Sequence, residues 1–242
     1  MLYGSLALAR LRATATATAS CAEADRELLL PGLEAAGLQT SWLPSTVTTG
    51  FSFHYHGDER VMTVDAVGDP WSPARAVAAA AGASHVHVGA LLRTDFAPAT
   101  LAALAESGAA ILIDAQGLVR RAEPGPLRED GEIGDALRHV TILKLDESEA
   151  SALAGGTDVL ALRALGVPEV VLTLGSRGSL VVTATSDDFV AATPVTAPVD
   201  PTGAGDSFAA AYLWFRAEHC PPPEAAEHAS RFVAALLAER SR

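Results

Sequence analysis

The chain has 242 residues, 49% of them hydrophobic and 19% charged, which is enough apolar material for one sizeable α/β core. A net charge of −12 argues against a nucleic-acid groove or an anionic membrane surface as partner, though not against a small anionic ligand, which meets local amides and cations rather than the average field. Two cysteines, Cys21 and Cys220, with no close Cys or His spacing, form neither a disulfide framework nor a zinc site and suit a reducing cytosol.

Gly4 to Leu11 places Leu6, Ala7 and Leu11 at helical spacing after Leu2. Arg10 and Arg12 interrupt this apolar stretch and no run is long enough to span a bilayer, so neither a signal peptide nor a membrane segment is expected and the location read is cytoplasmic. Arg12 to Ser20 alternates Ala and Thr, which predicts a strand. A helical pattern from Asp25 to Ala36, closed by Gly37, makes a βα unit with it. Between Leu38 and Asp65 two β-rich runs, Thr46 to Tyr55 and Arg60 to Val64, meet at Gly57-Asp58. They predict a hairpin within an inserted β element at about residues 40–66, with Phe51, Phe53 and Tyr55 on one face.

Ser72 to Ala81 reads as a helix and Ser84 to Gly89 as a strand with His85 and His87 on one face. No third ligand of suitable spacing accompanies them, so they read as histidines at a strand mouth rather than as a metal site. A helix from Ala97 to Ser107 leads to the apolar strand Ala110 to Asp114. Ligands of open α/β sheets sit beyond the carboxyl ends of strands, where Asp114, Gln116 and Arg120 fall; for each residue alone, a solvated loop fits equally well. Arg138 to Lys144 is the next strand, followed by Asp146 and Glu149 at the spacing of a capping box. Lys144 is the only lysine, and neither a P-loop nor the glycine-rich and His-Arg-Asp loops of protein kinases accompany it. Glu169 to Leu174, the turn Gly175 to Gly178 and Ser179 to Thr183 form a second hairpin, and short strands are expected at Phe189 to Ala192 and Val195 to Ala197. Pro221 to Pro223 breaks the chain before a terminal helix, Glu224 to Arg240. This order predicts one domain over 1–242, a doubly wound, mostly parallel sheet with helices on both faces and a small β lid.

The stretch from Val199 to Phe208 demands the most particular backbone. Pro201 stops the preceding extended run, Gly203 and Gly205 free the chain, and an alanine-rich helix begins at Ser207. Unpaired N–H groups at that helix N-terminus suit an anion such as phosphate. Asp206 beside them is a helix-capping acid on the simplest reading. With a phosphoryl group held by the amides, it is instead placed as general base toward an attacking hydroxyl.

The string Asp200-Pro201-Thr202-Gly203-Ala204-Gly205-Asp206-Ser207-Phe208 resembles the signature of the ribokinase-like carbohydrate kinases, the PfkB family. The resemblance implies ATP-dependent phosphorylation of a hydroxyl on a sugar, cyclitol or nucleoside, with magnesium as cofactor. Asp206 is then the base and the amides of Gly203, Ala204 and Gly205 the anion hole. The β element becomes a lid over the substrate, and its aromatic face either shields the sugar or buries a homodimer contact. The run from Val171 to Val181 matches the family, implying that Thr173 and Gly175 meet the nucleotide phosphates with Gly178 and Thr202 beside them. Ser230 stands where many relatives have asparagine on the helix bordering adenine. Relatives carry Asn-x-x-Glu where this chain has Asp146 and Glu149, which implies magnesium at Glu149, extra charge from Asp146, and Lys144 as its offset near the phosphates. Gly4 and Ser5 fall in the family's substrate loop. Gln116 and Arg120 lie in a run, Asp114 to Arg120, similar to the plant myo-inositol kinase branch.

Relatives open with a strand bearing a substrate-binding aspartate, and this sequence starts at about the loop that follows it. Two functions are therefore open: an active small-molecule kinase, and a non-catalytic nucleotide-binding or dimerising descendant. Intact Asp206 and its glycines favour the first, and the missing strand favours the second.

Overall fold

The computed structural model describes residues 2–56, 59–195 and 200–240. In chain order the elements are α1 (Leu2–Arg10), β1 (Thr16–Cys21), α2 (Arg26–Glu34), β2 (Gln39–Pro44), β3 (Gly50–His56), β4 (Glu59–Ala66), α3 (Pro73–Ala79), β5 (His85–Val88), α4 (Pro98–Glu106), β6 (Ala110–Asp114) and α5 (Gln116–Val119). They continue with β7 (Gly125–Pro126), β8 (Ile142–Leu145), α6 (Glu147–Ala154), α7 (Val159–Ala164), β9 (Glu169–Thr173), β10 (Gly178–Thr183), β11 (Asp187–Ala191), α8 (Ala204–Ala217) and α9 (Pro222–Arg240).

The principal sheet runs β11-β10-β9-β8-β6-β5, with β5, β6, β8 and β9 parallel and β10 and β11 antiparallel at one edge. Parallel strands are covered on both faces and so need near-continuous apolar runs. Ile111, Leu112 and Ile113, Ile142 and Leu143, and Val170, Val171 and Leu172 supply them, all almost fully buried. Alternation then divides the core. Ile111, Ile113, Leu143, Val170 and Leu172 pack with Ala76, Leu101, Leu104 and Leu162 from α3, α4 and α7. Leu112, Ile142, Val171 and Val181 meet α8 and α9 through Ala209, Tyr212, Ala225 and Ala229. This is the doubly wound α/β arrangement that the order of elements predicts. Each fully buried leucine or isoleucine contributes about 1.5–3 kcal/mol, so the layers are fixed chiefly by these strands.

Helix α8 is registered on the sheet by a buried polar lock. The Tyr212 hydroxyl donates to Glu169 Oε1 at 2.6 Å, and the Arg216 guanidinium pairs with the same carboxylate at 3.0 Å. Burial and the Glu169 charge push the Tyr212 phenol far above the usual tyrosine range, so it stays a donor. On its other side α8 carries α1.

Several boundaries differ from the sequence reading. Gln39 to Pro44 pairs in parallel with β1, forming a separate two-stranded sheet, so the lid begins at Gly50 rather than at about residue 40. The lid hairpin β3-β4 also gains a third strand, β7, two residues long and set by Thr63 opposite Pro126. Phe53 stands 53% exposed on this sheet, while the Gly57-Asp58 turn and the Tyr55 side chain lie outside the described residues. Arg138 and His139 belong to a 3-10 turn, Ala136–His139, closed by Val140 N–H on Leu137 O, so β8 starts only at Ile142. The strand expected from Val195 to Ala197 is not formed at Val195, and its other two residues lie outside the described residues. No helix among the described residues is long and apolar enough to cross a membrane.

Candidate active site

The turn into α8 is built by side chains closing on their own backbone. Asp200 Oδ1 accepts the Thr202 N–H at 2.9 Å and its hydroxyl at 2.6 Å, an Asx-type turn that holds the Asp200 carboxyl below the usual carboxylate range. Gly203 follows at φ 75°, a left-handed conformation that disfavours side chains. It is also the point of closest approach from α1: a Cβ on Gly203 would lie 2.1 Å from the Tyr3 ring. Arg240, at the end of α9, stacks its guanidinium 4.9 Å over that ring and donates to Thr202 O at 2.8 Å. The Ser207 hydroxyl donates to Tyr3 O at 3.4 Å. Helices α1 and α9 thus brace the first turn of α8.

One amide of the expected anion hole is already used. Ala204 N–H donates to Pro201 O at 2.9 Å, because the tight turn that brings Gly203 into place needs this bond to close. Gly203 and Gly205 N–H make no such bond to another described residue, which leaves two of the three expected donors open. Asp206 follows in the first helical turn, half-buried.

Below this turn the sheet presents a polar row. Residues two beyond Leu112, Ile142 and Val171 share their face, so Asp114, Lys144 and Thr173 lie at or next to the ends of three parallel strands on the α8 side. Lys144 Nζ lies 3.2 Å from Asp114 Oδ2 and 3.3 Å from Oδ1, both residues under 8% exposed. It also reaches to 3.5 Å from the position of a Cβ on Gly205. Burial alone favours the neutral amine, but Asp114, Glu149 and Asp146 outweigh it and hold the ammonium charged. On α6, Asp146 Oδ1 accepts Glu149 N–H at 2.9 Å and Glu149 Oε2 accepts Asp146 N–H at 2.8 Å, the full capping box. Burial, and after it the Asp114 charge, pushes the Glu149 carboxyl up to about 7. Among the described residues no three His, Cys, Asp or Glu groups are gathered as a metal cluster.

A cavity of about 400 Å³ opens here, lined by Lys144, Asp146, Glu147, Ser148, Thr173, Gly175 and Gly205. Five of these are residues singled out from the sequence; Glu147 and Ser148 were not. They face the cavity because the capping box starts α6 at its rim, a consequence already implicit in the Asp146–Glu149 spacing.

Other expected site residues are not among those lining this cavity. Gly178, at φ 126°, fits against the β11 backbone, where a Cβ would meet Val190 O at 2.1 Å; its role is to close the hairpin. Ser230 accepts the Thr193 N–H at 2.9 Å and so steadies the chain after β11. Thr202 is occupied in its turn with Asp200. Gln116 donates to Ala90 O at 3.3 Å, and Arg120 pairs with Glu129 at 3.4 Å. Gly4 lies against the first turn of α8, where a Cβ would be 3.6 Å from Asp206 O, and Ser5 is buried beside it.

A family model described as pfkB family carbohydrate kinase matches residues 5–241. Among solved structures, a pyrophosphate-dependent kinase in the ribokinase family superimposes with a TM-score of 0.83 at 22% identity, over 99% of this chain and 85% of that one. Such a kinase complexed with a pyrophosphate analog and myo-inositol gives 0.82 at 22%, over 99% and 85%. The Burkholderia thailandensis nucleoside kinase in complex with inosine gives 0.74 at 20%, over 98% and 78%. At these identities the likeness establishes a shared fold.

Proposed function

Because the chain belongs to the pfkB family of carbohydrate kinases, we propose that it transfers a terminal phosphoryl group to a hydroxyl of a small polyol, sugar, cyclitol or nucleoside. The observation that carries this reading is the α8 turn. Asp206 stands in the same helical turn as Gly205, which lines the cavity together with Lys144. In this reading the Gly203 and Gly205 amides and the Lys144 ammonium hold the donor's terminal phosphate. Asp206 takes the proton from the acceptor hydroxyl as its oxygen forms a bond to phosphorus, and the P–O bond to the leaving phosphate breaks. Thr173 and Gly175 bound the donor on its far side.

Asp146 and Glu149 fit a magnesium ion by their chemistry. Their carboxylates are hard oxygen donors, each with one oxygen tied into the capping box and one left over. Bound there, magnesium would supply positive charge to the donor phosphates. Glu149, held up to about 7, is stabilised in its charged form by any nearby cation.

ATP is the donor that the family resemblance implies. Pyrophosphate is a second reading, favoured by a specific feature: among the described residues no aromatic or large aliphatic side chain lines the cavity to hold a purine.

The test is ³¹P NMR of the purified protein with Mg²⁺ and either ATP or pyrophosphate, against myo-inositol, ribose, fructose and inosine. A new phosphomonoester appearing in step with donor loss is expected for at least one pair. Donor binding without product from any pair would instead support the nucleotide-binding, non-catalytic alternative.

A further inference from the structure

Phosphoryl transfer needs an acceptor opposite the donor, and the polar row has a fourth member that the donor side does not use. His87 lies on β5, opposite Leu112 of β6, so its side chain projects toward α8 as Leu112 and Asp114 do. His87, Asp114, Lys144 and Thr173 therefore share one face of four adjacent parallel strands, along a line that steps two residues toward the strand ends between β5 and β6 and again between β8 and β9. Lys144 and Thr173 line the donor cavity, whereas His87 is at the opposite end, on the edge strand. Asp206 lies above the row between these ends, and His87 feels its charge together with those of Asp114 and Lys144.

The local packing turns the imidazole toward that end of the site. Its Cε1 is 3.8 Å from the position a Cβ would take on Gly4, and the same position is 3.6 Å from Asp206 O and 3.5 Å from Ala210 Cβ. The ring, the start of α1 and the first turn of α8 therefore converge on one small volume, which Gly4 leaves without a side chain. His87 is partly buried, and its ring makes no hydrogen bond to another described residue. Its neighbour on the same face, His85, has the Ser84 hydroxyl at 3.0 Å. Partly exposed, the ring can meet the hydroxyl of a ligand.

We propose that His87 is an acceptor-binding residue, its imidazole hydrogen-bonding a second hydroxyl of a polyol whose first hydroxyl is presented to Asp206. The proposal rests on the phosphotransferase reading for the role of Asp206. It adds the side from which the acceptor enters and one determinant of its class: at least two hydroxyls, not one. As a neutral imidazole both donates and accepts, it suits a hydroxyl in either sense.

Two measurements test it. In steady-state kinetics, His87→Leu raises the acceptor KM about tenfold, the loss of roughly one hydrogen bond, with the donor KM unchanged. His87→Asn, which keeps a donor and an acceptor, stays within about threefold of wild type. A merely structural role would shift both KM values and would not distinguish leucine from asparagine, and that result overturns the proposal. Binding is read separately on Asp206→Asn, which requires no turnover: the His87 Cε1–H NMR signal, assigned with His87→Asn, is followed on addition of myo-inositol and of cyclohexanol. A saturable shift with myo-inositol and none with cyclohexanol is expected. No shift with either, or equal shifts with both, contradicts the assignment of His87. Failure of the kinase reading appears instead as wild-type protein that shows the shift and transfers no phosphate.

Discussion

Replacing Gly203 with alanine tests the construction of the α8 turn. The residue is held at φ 75°, where an L side chain costs about 1–2 kcal/mol. The new Cβ would also lie 2.1–2.5 Å from three atoms of the Tyr3 ring, so the ring has to leave its place under Arg240. Losing that cation–π contact adds about 0.5–1 kcal/mol. The sum is about 2 kcal/mol, or roughly 4–8 °C in Tm for a chain of this size. Thermal unfolding by circular dichroism measures it in two backgrounds. In Tyr3→Ala protein the clash is absent, and only the backbone strain remains, so the cost of Gly203→Ala falls by about a third or more. An equal cost with and without Tyr3, or no cost in either, would refute the reasoning. Turnover falls in both backgrounds, because the Gly203 amide is re-aimed.

Lys144→Met leaves the Asp114 carboxylate buried and unpaired, which costs about 3–5 kcal/mol in urea unfolding. Adding Asp114→Asn recovers much of that stability but no turnover, since the ammonium at the donor phosphate is still missing. Glu149 gives a pH signature. Its folded value of about 7 lies above the ordinary 4.5, so between these values the folded chain holds the extra proton and stability falls as pH rises. Glu149→Gln therefore gains Tm relative to wild type between pH 5 and pH 8 in metal-free buffer. In wild type the magnesium concentration needed for half-maximal rate falls over the same interval, since the cation binds the deprotonated form.

The parts of this molecule that local chemistry determines are readable in the chain itself. The apolar runs 110–114 and 169–173 are strands because nothing else buries them on both faces, and Asp146 with Glu149 is a capping box by spacing alone. Pairing partners are less readable. The residues 39–44 adjoin or fall within the stretch read as the lid element, yet they pair with β1, and no local signal distinguishes these two partners. The same limit applies to the site. Lys144, Thr173 and Gly205 meet only because β8 and β9 end side by side under α8, and Tyr3 reaches Gly203 from a helix two hundred residues away in the chain. The Pro201 carbonyl on Ala204 N–H is a turn detail that the motif string does not announce. His87 was visible as one of two histidines on a strand face, but its significance depends on β5 lying beside β6 with α8 above.

The central claim is that Asp206 accepts the proton from the attacking hydroxyl. The most direct measurement is the kcat of Asp206→Asn, an isosteric change, on the best donor–acceptor pair. The account predicts a fall of about 10²–10⁴-fold with both KM values little changed. A kcat within a few-fold of wild type would contradict it.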